Sequence, residues 1–199
     1  PGCPAGCHGP TSMARSWGRF RAVPTATRAL DRGTGSSNQP MSGDQGASRL
    51  HGVSDAPPRL RIGIIGAGRV GSVLGAALAR AGHIVTGATA VSDLSRLRAE
   101  ALLPGVPIVD PIDAVSNADL VLVAVPDDVL PSLVAGLAAH ARAGQFWVHP
   151  SGRHGVEVLD PVARAGAGAL AVHPVMTFTG TSVDLARLVD CPFGVTAGP

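Results

Sequence analysis

The segment from Arg59 to Val85 constrains the fold more than any other part of this 199-residue chain. It reads RLRIGIIGAGRVGSVLGAALARAGHIV, so a short β-branched apolar run precedes closely spaced glycines and an Ala- and Leu-rich run follows them. The first run is typical of a buried strand and the second of a helix that closes at Gly82. Because the chain contains 26 glycines, the glycine spacing alone is weak evidence, and its flanking elements decide the interpretation.

The same alternation of apolar runs and helical patterns continues to the end of the sequence. Short connections between alternating strands and helices imply right-handed crossovers, so we expect an α/β fold with a doubly wound parallel sheet. Ligands of such sheets bind outside the carboxyl ends of the strands. After the first strand and helix, strands are expected over 83–90, 106–110, 119–126, 145–152, 169–174 and from 191 onward. Helices are expected over 92–105, with Ser92 or Asp93 as N-cap, 111–118, 127–144 and 155–168, the last broken near Pro161.

Residues 1–58 differ in composition from residues 59–199. They are rich in Gly, Pro, Ser and Thr and carry six Arg against three acidic residues, which predicts a disordered leader. Two origins stay open for it, a transit peptide or an upstream extension of a chain that starts near Met41, and we favour the extension. Residues 59–199 carry ten Arg and eleven acidic residues, and we expect them to form one Rossmann-like dinucleotide-binding domain.

Composition also excludes several classes of partner. No apolar run reaches the ~18 residues that a membrane helix needs, and no basic stripe typical of a nucleic-acid binder is present. Three cysteines form neither a disulfide framework nor a metal site of known spacing. We therefore expect a soluble, cytoplasmic protein that binds a small molecule, with no metal, no nucleic acid and no membrane partner.

The flanking strand and helix favour a dinucleotide site at the glycines. Gly66 permits a tight turn, Gly68 lets the backbone approach a pyrophosphate, and Gly71 lets the helix pack closely on the strand. The start of the helix offers free N–H groups and a partial positive charge to phosphates. The expected cofactor contacts in this loop are Gly66, Ala67, Gly68, Arg69, Val70 and Gly71.

The end of the second strand bears on which dinucleotide is bound. NAD sites usually carry an acidic residue there, and this sequence has none before Asp93. Ser92 and Arg96 follow that strand and are suited to a 2′-phosphate, Arg by charge-assisted hydrogen bonds. We therefore expect NADP, with NAD as the alternative. Val125 and Pro126, at the end of the fourth predicted strand, are expected to border the cofactor, and Asp127 to cap the next helix.

A His-Pro pair follows each of two successive predicted strands, at His149 and His173, and Ser151 lies beside the first. Hydride transfer to a C=O or C=N bond also requires a proton donor. The chain contains no Lys and no Tyr, so a donor on this chain is His, Asp, Glu or Cys, and His titrates nearest neutral pH. We therefore expect His173, Ser151 and His149 to be the catalytic or substrate-binding residues.

Four segments together resemble a family of bacterial, often actinobacterial, oxidoreductases: IGIIGAGRVGSVLGAALARAGH, DLVLVAVPDD, HPSGRHGVEVLDPVARAGA and AVHPVMTFTGT. That family joins an N-terminal Rossmann-like NADP-binding domain to a helical C-terminal domain and is related to pyrroline-5-carboxylate reductase, prephenate dehydrogenase and 6-phosphogluconate dehydrogenase. The resemblance implies that the three glycines bind pyrophosphate and that Ser151 and His173 face the substrate. Related families have Thr where this chain has Pro150.

The resemblance implies an NADP-dependent oxidoreductase domain that transfers a hydride between nicotinamide and a small oxo-acid or imine. It also implies that the helical C-terminal domain, which would form a homodimer, is truncated here, so that this chain alone could bind cofactor without catalysis. The alternative is a non-catalytic NADP(H)-binding or regulatory module. A Rossmann enzyme for another nucleotide, such as a methyltransferase, is disfavoured by the glycine spacing.

Overall fold

The computed structural model describes residues 58–198, and the predicted leader lies outside them except for Pro58. Six strands and six helices alternate along this part of the chain. The strands are β1 (Arg61–Ile65), β2 (Ile84–Ala88), β3 (Leu120–Val123), β4 (Phe146–His149), β5 (Gly168–Pro174) and β6 (Phe193–Ala197). The helices are α1 (Arg69–Arg80), α2 (Asp93–Leu102), α3 (Pro111–Ser116), α4 (Leu130–Leu137), α5 (Asp160–Ala163) and α6 (Val183–Arg187), with 3₁₀ turns at Ala138–His140 and Val156–Leu159.

The strands form one sheet in the order β2-β1-β3-β4-β5-β6. The first five are mutually parallel, which confirms the predicted α/β parallel sheet. From β1 the chain first moves outward to β2 and then returns to the opposite side of β1 to form β3. The connections therefore diverge at the carboxyl ends of β1 and β3, which opens a crevice of the kind in which doubly wound sheets bind ligands.

Two parts of the predicted sheet were wrong. The strand expected over 106–110 is reduced to one parallel bridge between Ala88 and Ile108. Gly105 precedes this segment, and Pro107 within it has no N–H to extend the ladder. At the other edge, β6 runs antiparallel to β5 rather than parallel.

The helices after β3 are shorter than their sequence patterns predict. The helix expected over 127–144 is regular only in α4, and its N-cap is Val129, so the prediction that Asp127 caps it was wrong. Pro at the start of α4 fixes where regular helix begins. The segment predicted to break near Pro161 does so: a 3₁₀ turn precedes α5, and Pro lies in the first turn of α5. The five-residue α6 was not predicted.

The sheet is covered on both faces, and each face has its own apolar core. One core packs α1, α2 and α6 on β1 and β2, and the other packs α3, α4 and α5 on β3, β4 and β5. Val121, Leu122 and Val123 of the central strand β3 point alternately to the two faces and are all buried, as a strand covered on both faces requires. Within residues 58–198, no helix is long and apolar enough to cross a membrane.

Candidate cofactor and substrate site

The turn between β1 and α1 depends on two glycines that tolerate no side chain. Gly66 has φ +98°, a left-handed conformation, and a Cβ there would lie 2.6 Å from the carbonyl oxygen of Ala124, the residue after β3. A Cβ on Gly71 would overlap the carbonyl oxygen of Gly66. The first glycine thus allows the tight turn beside β3, and the second allows α1 to pack against the turn.

Gly68 differs from both, because a Cβ placed on it would meet no atom within 4 Å. It is the N-cap of α1 in an extended conformation, makes no side-chain capping bond, and no acidic residue lies in the first turn of the helix. The N–H groups of a first helical turn have no partners within the helix and carry the positive end of its dipole. Open space in front of such a helix end fits a bound phosphate.

Thr89, just after β2, holds the glycine turn in place. Its hydroxyl accepts a hydrogen bond from the N–H of Gly66 (2.9 Å), and its carbonyl accepts one from the N–H of Ala67 (2.7 Å). The Ser72 hydroxyl donates to the carbonyl of Ala67 from the other side (2.9 Å). Sequence reasoning missed Thr89 because its role depends on the β1–β2 register, although a hydroxyl residue at a strand end is a visible signal.

The residues expected around the adenosine half of the cofactor lie at the same edge of the sheet. Ser92 caps α2 in a capping box with Ser95. The N–H of Ser92 donates to the Ser95 hydroxyl (3.0 Å), and the N–H of Ser95 donates to the Ser92 hydroxyl (3.2 Å). Arg96, one turn into α2, is exposed. Val125 follows β3 beside the glycine turn, with Cγ1 3.1 Å from the position of a Cβ on Gly66, and Pro126 comes next.

A second concave region lies at the ends of β4 and β5. A pocket of about 200 Å³ is lined by Ser151, His154 and His173, together with Gly152, Gly155, Ala171 and the β6 residues 193–196. The structure therefore brings Ser151 and His173 together, as predicted from two separate strand ends. His154, two residues past the Ser-Gly pair, joins them.

The ring of His173 has a defined tautomer. Its Nδ1 lies 2.9 Å from the carbonyl oxygen of Pro150, which can only accept, so Nδ1 carries the proton and Nε2 has a free lone pair in the neutral ring. Gly152 packs against the imidazole, because a Cβ on this glycine would lie 2.7 Å from Cε1 of His173. His173 is exposed, so its ring is accessible from solvent.

His149 lies elsewhere: it is 0% exposed and does not line the pocket. Its Nε2–H donates to the carbonyl of Gly155 (3.1 Å), and its Nδ1 is buried without a hydrogen-bond partner. Burial lowers the pKa of His149 below its ordinary 6.5, so the ring is neutral at pH 7. This geometry supports the loop that follows β4 rather than direct contact with a substrate.

The loop from 150 to 155 is fixed by further contacts of the same kind. The Ser151 hydroxyl accepts from the N–H groups of Arg153 and His154, both at 3.1 Å, which leaves the hydroxyl proton for another acceptor. His154 donates from Nε2 to the carbonyl of Asp127 (2.8 Å), in the segment that follows β3. The pocket is thereby tied to the loop that borders the glycine turn.

Comparison with known proteins defines the class. Residues 44–174 match the model of the Rossmann-like domain family, and since this span exceeds half of the chain, the protein belongs to that family. The chain is 36% identical, over 44% of its length and 29% of the relative, to glycerol-3-phosphate dehydrogenase [NAD(P)+] 2 of Lactobacillus delbrueckii subsp. bulgaricus.

Two solved structures share the fold. An NADP oxidoreductase so named from Bacteroides fragilis matches with TM-score 0.55 and 22% identity, over 71% of this chain and 52% of that one. An NADH-preferring ketol-acid reductoisomerase from an uncultured archaeon matches with TM-score 0.56 and 19% identity, over 70% and 43%. The chain thus spans about half or less of each of these three proteins, and each is named as an enzyme that uses a nicotinamide cofactor.

Proposed function

We propose that this chain is the NADP-binding domain of an oxidoreductase that transfers a hydride between nicotinamide and a small oxo-acid or imine. The observation that carries the proposal is Gly68, an uncapped helix N-terminus open to solvent at the sheet crevice. A structural turn needs its glycines for close packing, as at Gly66 and Gly71. Packing gives no reason for a glycine at 68, whereas a phosphate that approaches the backbone does.

The preference for NADP is part of the proposal and rests on the residues after β2. Ala90 and Val91 stand where an acidic residue would bind the ribose hydroxyls of NAD. The fold itself does not decide the cofactor, because one matching structure is named for NADP and another for NADH. NAD remains the alternative that a titration distinguishes.

The nicotinamide ring, when bound, supplies the hydride, and the whole protein must supply substrate binding and a proton. His173 holds Nδ1–H against Pro150, so a proton taken up by its ring resides on Nε2 and can be donated to the oxygen or nitrogen of a C=O or C=N bond. Ser151 retains its hydroxyl proton for the substrate or the nicotinamide amide. The buried His149 positions the loop that carries Ser151.

The proposed substrate is a small molecule because the pocket of about 200 Å³ is small. The proposed homodimer would form through a helical region such as that of the resembled family. The substrate and the homodimer are proposed for the whole protein and not for residues 58–198 alone.

A fluorescence titration of the 199-residue chain with NADPH and, separately, NADH tests the proposal. We expect NADPH to bind more tightly than NADH. Turnover of a panel of 2-oxo acids and cyclic imines would then establish the oxidoreductase, whereas tight NADPH binding with no turnover by a full-length protein would favour the non-catalytic module. A chain that circular dichroism shows to be folded and that binds neither nucleotide would overturn the proposal.

A further inference from the structure

A buried glycine in the loop after β5 lies between two arginines from different helices. Gly180 has φ +79°, and a Cβ on it would lie 2.8 Å from Nε of Arg98 and 2.9 Å from Cγ of Arg69. Arg69 is the first residue of α1, and Arg98 belongs to α2. The side chain of Arg98 therefore reaches from α2 to the start of α1.

The loop that carries Gly180 is held by a buried carboxylate. Asp184 is 0% exposed and accepts hydrogen bonds from the N–H groups of Thr179 and Gly180, both at 2.8 Å, and from the Thr179 hydroxyl at 3.1 Å. Burial opposes ionisation of Asp184, but these hydrogen bonds lower its pKa and keep it charged. Arg187 pairs with its other oxygen at 3.2 Å. These partners of the Asp184 carboxylate all lie within residues 179–187.

The side chains of Arg69 and Arg98 differ from Asp184 in their polar contacts. Among residues 58–198, neither side chain forms an ion pair or a hydrogen bond, although both lie against Gly180. Two guanidinium groups brought to the positive end of a helix repel one another unless an anion lies between them. Arg96, by contrast, lies on the exposed face of α2, whereas Arg98 is half-buried.

We propose that Arg98, together with Arg69, binds the 2′-phosphate of NADP(H), so that Arg98 rather than Arg96 determines the preference for NADPH over NADH. This inference rests on the proposed function. Arg98 is suited to the task because its half-buried side chain packs against Gly180, and because a guanidinium binds a phosphate through paired charge-assisted hydrogen bonds. The side chain of Arg96 is exposed, so the ligand itself would have to fix its conformation, at a cost in conformational entropy.

The test compares Arg98→Ala with Arg96→Ala in the 199-residue chain, two variants with the same charge change in the same helix. The probes are NADPH, NADH and the pair 2′,5′-ADP and 5′-AMP, which differ only in the 2′-phosphate. Loss of a charged hydrogen bond predicts that Arg98→Ala weakens NADPH and 2′,5′-ADP about 10- to 100-fold. NADH and 5′-AMP should change less than about threefold, and Arg96→Ala should change all four less than about threefold.

A further variant tests the geometry independently of the charge. Arg98→Lys keeps the positive charge but loses the paired hydrogen bonds of the guanidinium, so it should weaken binding of NADPH and 2′,5′-ADP while NADH binding is retained. The inference is overturned if Arg98→Ala weakens NADPH and NADH equally, since Arg98 would then contact the pyrophosphate. It is also overturned if Arg96→Ala has the larger effect. In both cases the wild type still binds nucleotide, so the proposed function stands; wild type that is folded yet binds none overturns both.

Discussion

Replacement of Gly68 by Ala separates a cofactor site from a structural turn. The new methyl group would meet no protein atom within 4 Å, and the φ of −78° is accessible to alanine. If a pyrophosphate binds over this residue, the methyl group lies in its path. The substitution should therefore reduce binding and leave the fold intact.

The expected magnitudes follow from the same geometry. Reduced freedom of the unfolded chain stabilises a Gly-to-Ala variant by about 0.4–1 kcal/mol, whereas alanine is a poorer N-cap than glycine by roughly 0.5 kcal/mol, so the free energy of unfolding should change little. Loss of one or more charged hydrogen bonds to phosphate costs about 1.5–3 kcal/mol. NADPH should therefore bind at least about 10-fold more weakly.

The assay is a fluorescence titration with NADPH, paired with urea denaturation of the same protein. Gly136→Ala is the matched control, because Gly136 lies on the exposed surface of α4 and its Cβ would also meet nothing within 4 Å. This control should bind NADPH like the wild type. Wild-type affinity in Gly68→Ala would refute the assignment of the glycine turn to the cofactor.

Three further substitutions test other contacts. Gly71→Ala should lower the free energy of unfolding by about 3 kcal/mol in urea denaturation, because its Cβ overlaps the backbone oxygen of Gly66; a smaller loss would show that α1 can shift. Because burial lowers the pKa of His149, the unfolded state binds a proton first as pH falls, so stability contributed by the neutral ring is present above pH 6.5 and is lost below it. Thermal denaturation of His149→Gln should show a weaker loss of Tm across that range, and an unchanged pH profile would contradict this. Gly152→Ala should displace the ring of His173 and remove its Nδ1–H tautomer in ¹⁵N NMR spectra, while NADPH affinity changes less than about twofold; an unperturbed His173 signal would disprove the contact.

The first half of the fold was predictable because each signal there is local. An apolar run, glycines at fixed spacing and an amphipathic helix ending at Gly82 are all read within one segment, and β1 and α1 lie where the pattern indicates. Ser92 was predictable as an N-cap for the same reason. The strand expected over 106–110 failed because a ladder depends on its neighbour, and Pro107 removes a donor.

The direction of β6 was not predictable from its own residues. Alternating strands and helices favour parallel pairing, but only the short α6 separates β5 from β6. A five-residue helix is too short to show a periodic apolar pattern. The buried Asp184 in α6 instead bonds the preceding loop, and those partners are visible only in the three-dimensional structure. The packing of Arg98 against Gly180 joins residues far apart in sequence, so sequence reasoning predicted Arg96 as the 2′-phosphate ligand instead.

The predicted catalytic residues His149 and His173 make the same kind of contact but differ in burial, because His149 is buried and His173 is exposed. Each bonds a backbone carbonyl of the segment 150–155: His149 bonds Gly155, and His173 bonds Pro150. Because the acceptor is a main-chain oxygen, the proline that departs from the resembled family offers His173 the same partner that a threonine would. Ser151 owes its position to hydrogen bonds from two N–H groups of the same loop, which also do not depend on the residue before it. The departure at Pro150 therefore leaves the proposed roles of Ser151 and His173 geometrically possible, and the hydrogen bond from the buried His149 to Gly155 supports the same loop.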